Sequence, residues 1–71
     1  MATRTTVHGF TVIYENNASS GIDYLRNDLD FDEAKVFFDQ ARLKGQAKFE
    51  DDEDRQFTLF YKNGIYTLVR R

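Results

Sequence analysis

The side chains that could do chemistry in this sequence are few. The only histidine, His8, stands beside Gly9 in a stretch of strand-forming residues. A histidine works as a general base only when a second group orients it and a nucleophile lies within reach. The sequence has no cysteine and no Gly-x-Ser-x-Gly motif. We therefore interpret His8 as a strand-end or surface imidazole, and we predict that the protein is not an enzyme.

A short run of alternating aspartates imitates the start of a calcium-binding loop. Asp28, Asp30 and Asp32 match the first three ligand positions of such a loop. The glycine that the loop needs would fall on Glu33, however, and its bidentate glutamate would fall on Asp39. Neither position has the residue that a calcium loop requires, so we predict no metal site and no other cofactor. We assign Asp30 to helix capping instead.

The densest charge in the chain is a run of five consecutive carboxylates, Glu50, Asp51, Asp52, Glu53 and Asp54. One interpretation is a solvated turn that discourages edge pairing and aggregation. The other is a docking element, which orients a basic partner, holds a hard cation or imitates a phosphate backbone. We keep both, and we include all five residues among the candidate partner-binding residues.

Basic residues near an aromatic side chain support a different function. A sheet surface could stack bases on an exposed Phe60 while basic side chains neutralise phosphates. The candidate basic residues are Arg4, Lys48, Lys62, Arg70 and Arg71. The net charge of −2 offers no broad attraction for polyanions, and the RNA-binding aromatic motif of sheet proteins is missing. Nucleic-acid binding is therefore the alternative function rather than the first.

The elements that position these residues begin with a strand over 5–15, rich in β-branched and aromatic residues. The turn-forming segment 15–21 follows it. For 22–27 the pattern is ambiguous, since Ile22 and Tyr24 alternate as in a strand while Ile22 and Leu25 also fit a helical stripe. We interpret 22–27 as a short strand and keep a helix as the alternative.

A helix over 31–44 is the strongest signal in the chain. Asp30 is a suitable N-cap, Glu33 completes a capping box, and Gly45 provides the stop. One side of this helix carries a core-facing stripe: Phe31, Ala34, Phe37, Phe38 and Ala41.

The C-terminal part predicts three strands. Asn63-Gly64 favours a two-residue type I′ turn, which pairs Lys62 with Ile65 and therefore Leu59 with Leu68. A further strand over 46–50 brings Phe49 opposite Phe57 only if the acidic turn has an odd length, most simply 52–54. The register places the following side chains on the helix side of the hairpin: Phe57, Leu59, Tyr61, Tyr66 and Leu68.

Together these elements predict one small domain spanning 1–71, of class α+β. The fold is an antiparallel sheet of four or five strands with one principal helix, about 31–44, packed on one face in two layers. The sequence lacks any apolar run long enough for a signal peptide or a membrane span. We therefore expect no membrane association and a cytoplasmic location.

This architecture leaves apolar side chains without cover. A helix of fourteen residues is about 21 Å long and about 10 Å wide, so it covers only one face of the sheet. Ile13, Phe60, Ile65 and Val69 then stay on the other face, and Val36 and Leu43 stay on the back of the helix. Contiguous exposed apolar side chains mark interfaces.

The sequence therefore predicts a non-catalytic protein-interaction or regulatory module that self-associates, as a homodimer, and presents a sheet face and an acidic turn to a protein partner. No small-molecule substrate is indicated. The candidate partner-binding residues are Phe60, Val69, Ile65, Val36, Leu43 and the acidic residues Glu50 to Asp54.

Overall fold

A computed structural model of the chain describes residues 2–71. Its strands are β1 (Thr3–Val7), β2 (Phe10–Tyr14), β3 (Gln46–Glu50), β4 (Gln56–Lys62) and β5 (Ile65–Arg70). Its helical segments are a 3-10 turn (Asn16–Ala18), α1 (Ser19–Asp23), a π-helical turn (Tyr24–Asp28) and α2 (Phe31–Lys44). The predicted α+β class is confirmed, with helices on one face of a single sheet.

The described strands form one five-stranded sheet in the order β1-β2-β5-β4-β3. Neighbouring strands run antiparallel except β2 and β5, which are parallel. The prediction of a wholly antiparallel sheet is therefore wrong at this one pairing. The N-terminal hairpin of β1 and β2 joins the C-terminal meander of β3, β4 and β5 through the parallel pairing of β2 with β5. No turn connects these two strands directly, so local sequence does not encode their pairing.

The first predicted strand, 5–15, is in fact a hairpin. His8 and Gly9 form its two-residue turn with φ angles of 50° and 89°. Two positive φ angles are what a type I′ turn requires, and its twist suits the flanking strands. His8 Nε2 also lies 2.9 Å from the carbonyl oxygen of Leu25, so the imidazole ties this turn to the helical layer.

The interpretation of 22–27 as a strand is wrong. The chain from Asn16 to Asp28 is helical, first as a 3-10 turn, then as α1 and then as a π-helical turn. The helical spacing buries Ile22 and Leu25 on the sheet, together with Ala18. Burial against β5 therefore decided between two patterns that the local sequence left open.

The long helix α2 has the predicted bounds. Glu33 Oε1 accepts a hydrogen bond from the backbone N–H of Asp30 at 3.0 Å. Gly45 ends the helix in the left-handed region at φ 88°, and its N–H donates to the carbonyl of Ala41. Ala34, Phe38 and Ala41 are fully buried, whereas Phe31 from the predicted stripe is 46% exposed.

The predicted C-terminal register is confirmed at every pair. Lys62 faces Ile65 across the Asn63-Gly64 turn, and Leu59 faces Leu68. Phe49 faces Phe57, as predicted. The Asp51 N–H donates to the Arg55 carbonyl and closes the loop between these strands, so the loop consists of the three residues 52–54, an odd number.

The core lies between the sheet and the helices, where Phe10 and Phe38 stack with ring centroids 4.3 Å apart. The opposite face of the sheet has no helix over it among the elements of residues 2–71. None of the described helices combines the length and the apolar character needed to cross a bilayer.

Candidate functional site

The uncovered side of the sheet carries a contiguous apolar patch, which we call the open face. The register aligns Ile13 with Thr67 and Thr67 with Phe60, so one row crosses β2, β5 and β4. Ile65 and Val69 lie on the same face two residues either side of Thr67. The structure thus brings together the predicted residues Phe60, Ile65 and Val69.

The open face is the least protected apolar surface of the sheet. Phe60 is 40% exposed, and Ile13, Ile65, Thr67 and Val69 are each half-buried by their neighbours. By contrast, Leu59 and Leu68, which point to the helices from the same strands, are fully buried. Along β4 and β5, successive side chains therefore lie alternately in the buried core and on the partly exposed open face.

Basic side chains surround the open face. Arg4 on β1 pairs with Ile13 on β2, and Lys62 on β4 pairs with Ile65 on β5. Lys48 on β3 pairs with Thr58 on β4. All three are exposed. Arg70 belongs to the other side of the sheet, because it pairs with Phe57, whose side chain faces the helices. Of the basic residues suggested by the sequence, the cationic border thus contains Arg4, Lys48 and Lys62 but not Arg70.

Val36 and Leu43 do not join this patch. They are 62% and 76% exposed on the outer side of α2, and α2 covers the opposite face of the sheet. A single flat partner cannot contact both surfaces. The structure therefore divides the predicted partner-binding residues between two separate regions.

The acidic turn has one internal member, Asp51. Its side chain is 3% exposed and accepts hydrogen bonds from the backbone N–H groups of Glu53 and Arg55, both at 2.9 Å. The Arg55 Nε donates to the other carboxylate oxygen at 2.6 Å. Asp51 therefore holds the loop together and is not available to a partner, which corrects its inclusion among the candidate residues.

These contacts also determine the ionisation of Asp51. Desolvation by burial acts to raise the pKa of this carboxyl, but the hydrogen bonds from Arg55 and Glu53, with the charge of Arg55, lower it overall. Asp51 therefore stays charged at neutral pH. The other four acidic residues, Glu50, Asp52, Glu53 and Asp54, are exposed.

A depression of about 350 Å³ separates the acidic turn from the helical segment around 22–27, for which the sequence analysis preferred a strand. Its lining residues are Ser20, Asp23, Tyr24, Asn27, Asp28, Asp51, Asp52, Glu53 and Arg55. Desolvation, and then the charge of Asp52 and a hydrogen bond with its side chain, raise the pKa of Asp28. Desolvation, and then the charge of Asp52, also raise the pKa of the Tyr24 hydroxyl.

We expect Asp28→Asn to increase stability at neutral pH. Because the pKa of Asp28 is raised on folding, its ionised form costs stability above that pKa, and the cost disappears as protonation proceeds in acid. Thermal unfolding should show a higher Tm for the variant at pH 7 and a gain that shrinks as the pH falls through the carboxyl range. Asp32→Asn, at an exposed position outside the depression, is the matched control. An equal gain in the control would remove the role of the Asp28–Asp52 contact.

Sequence reasoning missed the helical wall of this depression. Asp23 and Asn27 are four residues apart and Asp28 follows, a spacing that places them together only on a helix. The helix alternative for 22–27 would have revealed it. Across residues 2–71, no group of three or more His, Cys, Asp or Glu side chains is arranged to hold a metal ion.

No family model, curated protein or solved structure matches this chain. What the protein does must therefore be inferred from its own surfaces.

Proposed function

We propose that the protein is a small, non-catalytic protein-interaction module of the cytoplasm, which self-associates and binds a protein partner through the open face. The observation that carries this proposal is the group of apolar side chains around Thr67 on three adjacent strands, with Phe60 40% exposed on β4. The others are Ile13, Ile65 and Val69. A patch of this kind in a chain with a small core is costly to leave in water.

The chemistry of the open face supports a partner of a particular kind. Phe60 is the aromatic anchor, and Ile65 and Val69 provide the apolar surroundings from which water is excluded. Arg4, Lys48 and Lys62 at the border favour a partner with an apolar centre and an acidic rim. The acidic turn lies beyond the end of β3 and acts on the orientation of the encounter rather than on the apolar contact.

The test compares one open-face variant with one variant on the back of α2. Tagged wild type, Phe60→Ser and Leu43→Ser are used to capture partners from source lysate, followed by quantitative mass spectrometry. We expect Phe60→Ser to weaken binding by about thirtyfold, the effect of losing an anchor worth about 2 kcal/mol. Leu43→Ser should leave binding unchanged, because Leu43 is on the other side of the molecule.

Both substitutions replace an exposed apolar side chain by serine, so circular dichroism should show both variants folded. Capture that survives Phe60→Ser, or that is lost equally in Leu43→Ser, would contradict the proposal.

The second candidate function is binding of single-stranded nucleic acid, and the basic border of the open face favours it. Phe60 would stack a base while Lys62 and Lys48 neutralise phosphates. Fluorescence anisotropy with labelled single-stranded oligonucleotides separates the two functions. Affinity that falls steeply with salt and requires Phe60 supports nucleic acid, whereas absence of binding at low salt excludes it.

A further inference from the structure

The two outer strands of the sheet differ in how their free edges are protected. An edge strand exposes unpaired N–H and C=O groups, which form a template for another strand. In this sheet the outer strands are β1 and β3.

The edge of β1 is partly closed by an arginine. Val7 and Phe10 close the two-residue hairpin, so the backbone groups of Thr6 point away from β2. Arg26 Nη2 donates to the Thr6 carbonyl at 2.9 Å and to Thr5 Oγ1 at 2.6 Å. The helical layer thus occupies one outward acceptor of β1 and places a cation over that edge.

The edge of β3 is open. Tyr61 N–H donates to the Gly45 carbonyl, and Asp51 N–H donates to the Arg55 carbonyl. Residues alternate along an antiparallel ladder, so the backbone groups of Gln46, Lys48 and Glu50 point away from β4. Among residues 2–71, no hydrogen bond reaches these outward groups.

Charge along the β3 edge is ordered from basic to acidic. Lys44 precedes the strand, Lys48 lies near its centre, and Glu50 ends it as the first residue of the acidic turn. A second copy that approaches antiparallel meets this series in reverse, so that each basic end faces an acidic end. A parallel approach would instead oppose the two acidic turns, which is electrostatically unfavourable.

We infer that two copies of this chain pair through their β3 strands, antiparallel, with Lys48 of each copy opposite Glu50 of the other. In this register Phe49 faces its own symmetry mate on the helix side, and the two Lys–Glu pairs each exchange two backbone hydrogen bonds. Moving the register by one residue in each strand would oppose Lys48 to Lys48. Like charges directly opposite each other destabilise that arrangement.

The two-fold axis of this dimer is perpendicular to the sheet, so both helical layers lie on the same side. Phe37, half-buried on the flank of α2 with its ring 5.1 Å from that of Phe49, then lies near the axis. Both open faces lie on the other side and form one surface of ten strands. The pairing concerns the edge rather than the open face: it rests on the self-association included in the proposed function, whereas partner binding through the open face is tested separately with Phe60→Ser.

Charge exchange tests this dimer. Sedimentation equilibrium is measured from micromolar to millimolar protein for wild type, Lys48→Glu, Glu50→Lys, the double exchange and an equimolar mixture of the two single variants. Each single substitution should weaken dimerisation by at least about tenfold, because two attractive pairs become repulsive. The double exchange and the mixture should restore the dimer, since both recover opposite charges across the strands.

Arg4→Glu on the β1 edge is the matched control, with the same change in net charge on the other outer strand. It should leave dimerisation unchanged. A wild type that stays monomeric at every concentration overturns the inference, as does a Lys48→Glu effect no larger than that of Arg4→Glu. Dimerisation that Phe60→Ser abolishes and Lys48→Glu preserves also overturns it, because the copies then meet through the open face.

Discussion

Asp51→Ala is expected to lower the free energy of unfolding by about 2–3 kcal/mol, most of the roughly 3–5 kcal/mol margin of a domain this small. The Asp51 carboxylate accepts hydrogen bonds from the backbone N–H groups of Glu53 and Arg55 and from the Arg55 Nε. Alanine leaves these donors without their acceptor inside the loop that joins β3 to β4. Denaturant unfolding followed by circular dichroism measures the loss.

Two substitutions separate the causes of this loss. Asp51→Asn keeps an oxygen for the backbone donors but removes the charge opposite Arg55, and it should cost about 1 kcal/mol. Asp52→Ala, at the exposed neighbouring position, should cost nothing, because Asp52 repels Asp28. If Asp51→Ala is as stable as Asp52→Ala, the structural role of Asp51 is wrong.

The difference between wild type and Asp51→Ala should also depend on pH. Because folding lowers the pKa of Asp51, its contribution is fully present above the unfolded value, about 4, and is lost as the pH falls through the folded value. Unfolding curves for the two proteins should therefore converge in acid. A difference that is constant down to pH 2 would show that the carboxylate charge is not involved.

Gly21→Val is expected to remove most of the folding free energy, and Gly21→Ala to lower it by about 1–2 kcal/mol. A Cβ at Gly21 would lie 2.9 Å from Leu68 Cδ2 and 2.9 Å from Phe57 Cδ1. Both side chains are fully buried and cannot move away cheaply. The gain in helix propensity from glycine to alanine, about 1 kcal/mol, is smaller than the overlap costs.

A double-mutant cycle isolates this contact. Leu68→Ala alone creates a cavity, but combined with Gly21→Ala it gives the new methyl group room, so the double variant should be more stable than the sum of the two losses predicts. Ser19→Ala, at an exposed position of the same helix, is the control and should be neutral or slightly stabilising. A stabilising Gly21→Ala would show that α1 does not lie this close to β4 and β5.

The C-terminal half of the fold was predictable because its signals are local. Asn63-Gly64 requires a turn of defined length, and that length determines the register of β4 and β5 through to Leu59 and Leu68. The caps at Asp30 and Gly45 likewise determine the bounds of α2. Turn and cap chemistry acts within a few residues, so it can be deduced without knowing what the element packs against.

The N-terminal half was not predictable for the opposite reason. His8-Gly9 is a weaker turn signal than Asn-Gly, and strand-forming residues on both sides of it conceal the hairpin. Segment 22–27 satisfies both helical and strand spacing, and only burial of Ile22 and Leu25 against the sheet selects the helix. The depression beside the acidic turn depends on that choice.

Local signals were enough to decide which side chains of β4 and β5 share a face and where α2 begins and ends. They also predicted that Phe60, Ile65 and Val69 lie on a face of the sheet without a helix. Three other features depend on long-range contacts: the parallel pairing of β2 with β5, the burial of Asp51, and the cover that Arg26 gives the β1 edge while the β3 edge stays free. Periodicity and turn type act between near neighbours in the chain. Strand order, burial of a carboxylate and protection of an edge depend on residues brought together from distant parts of the sequence.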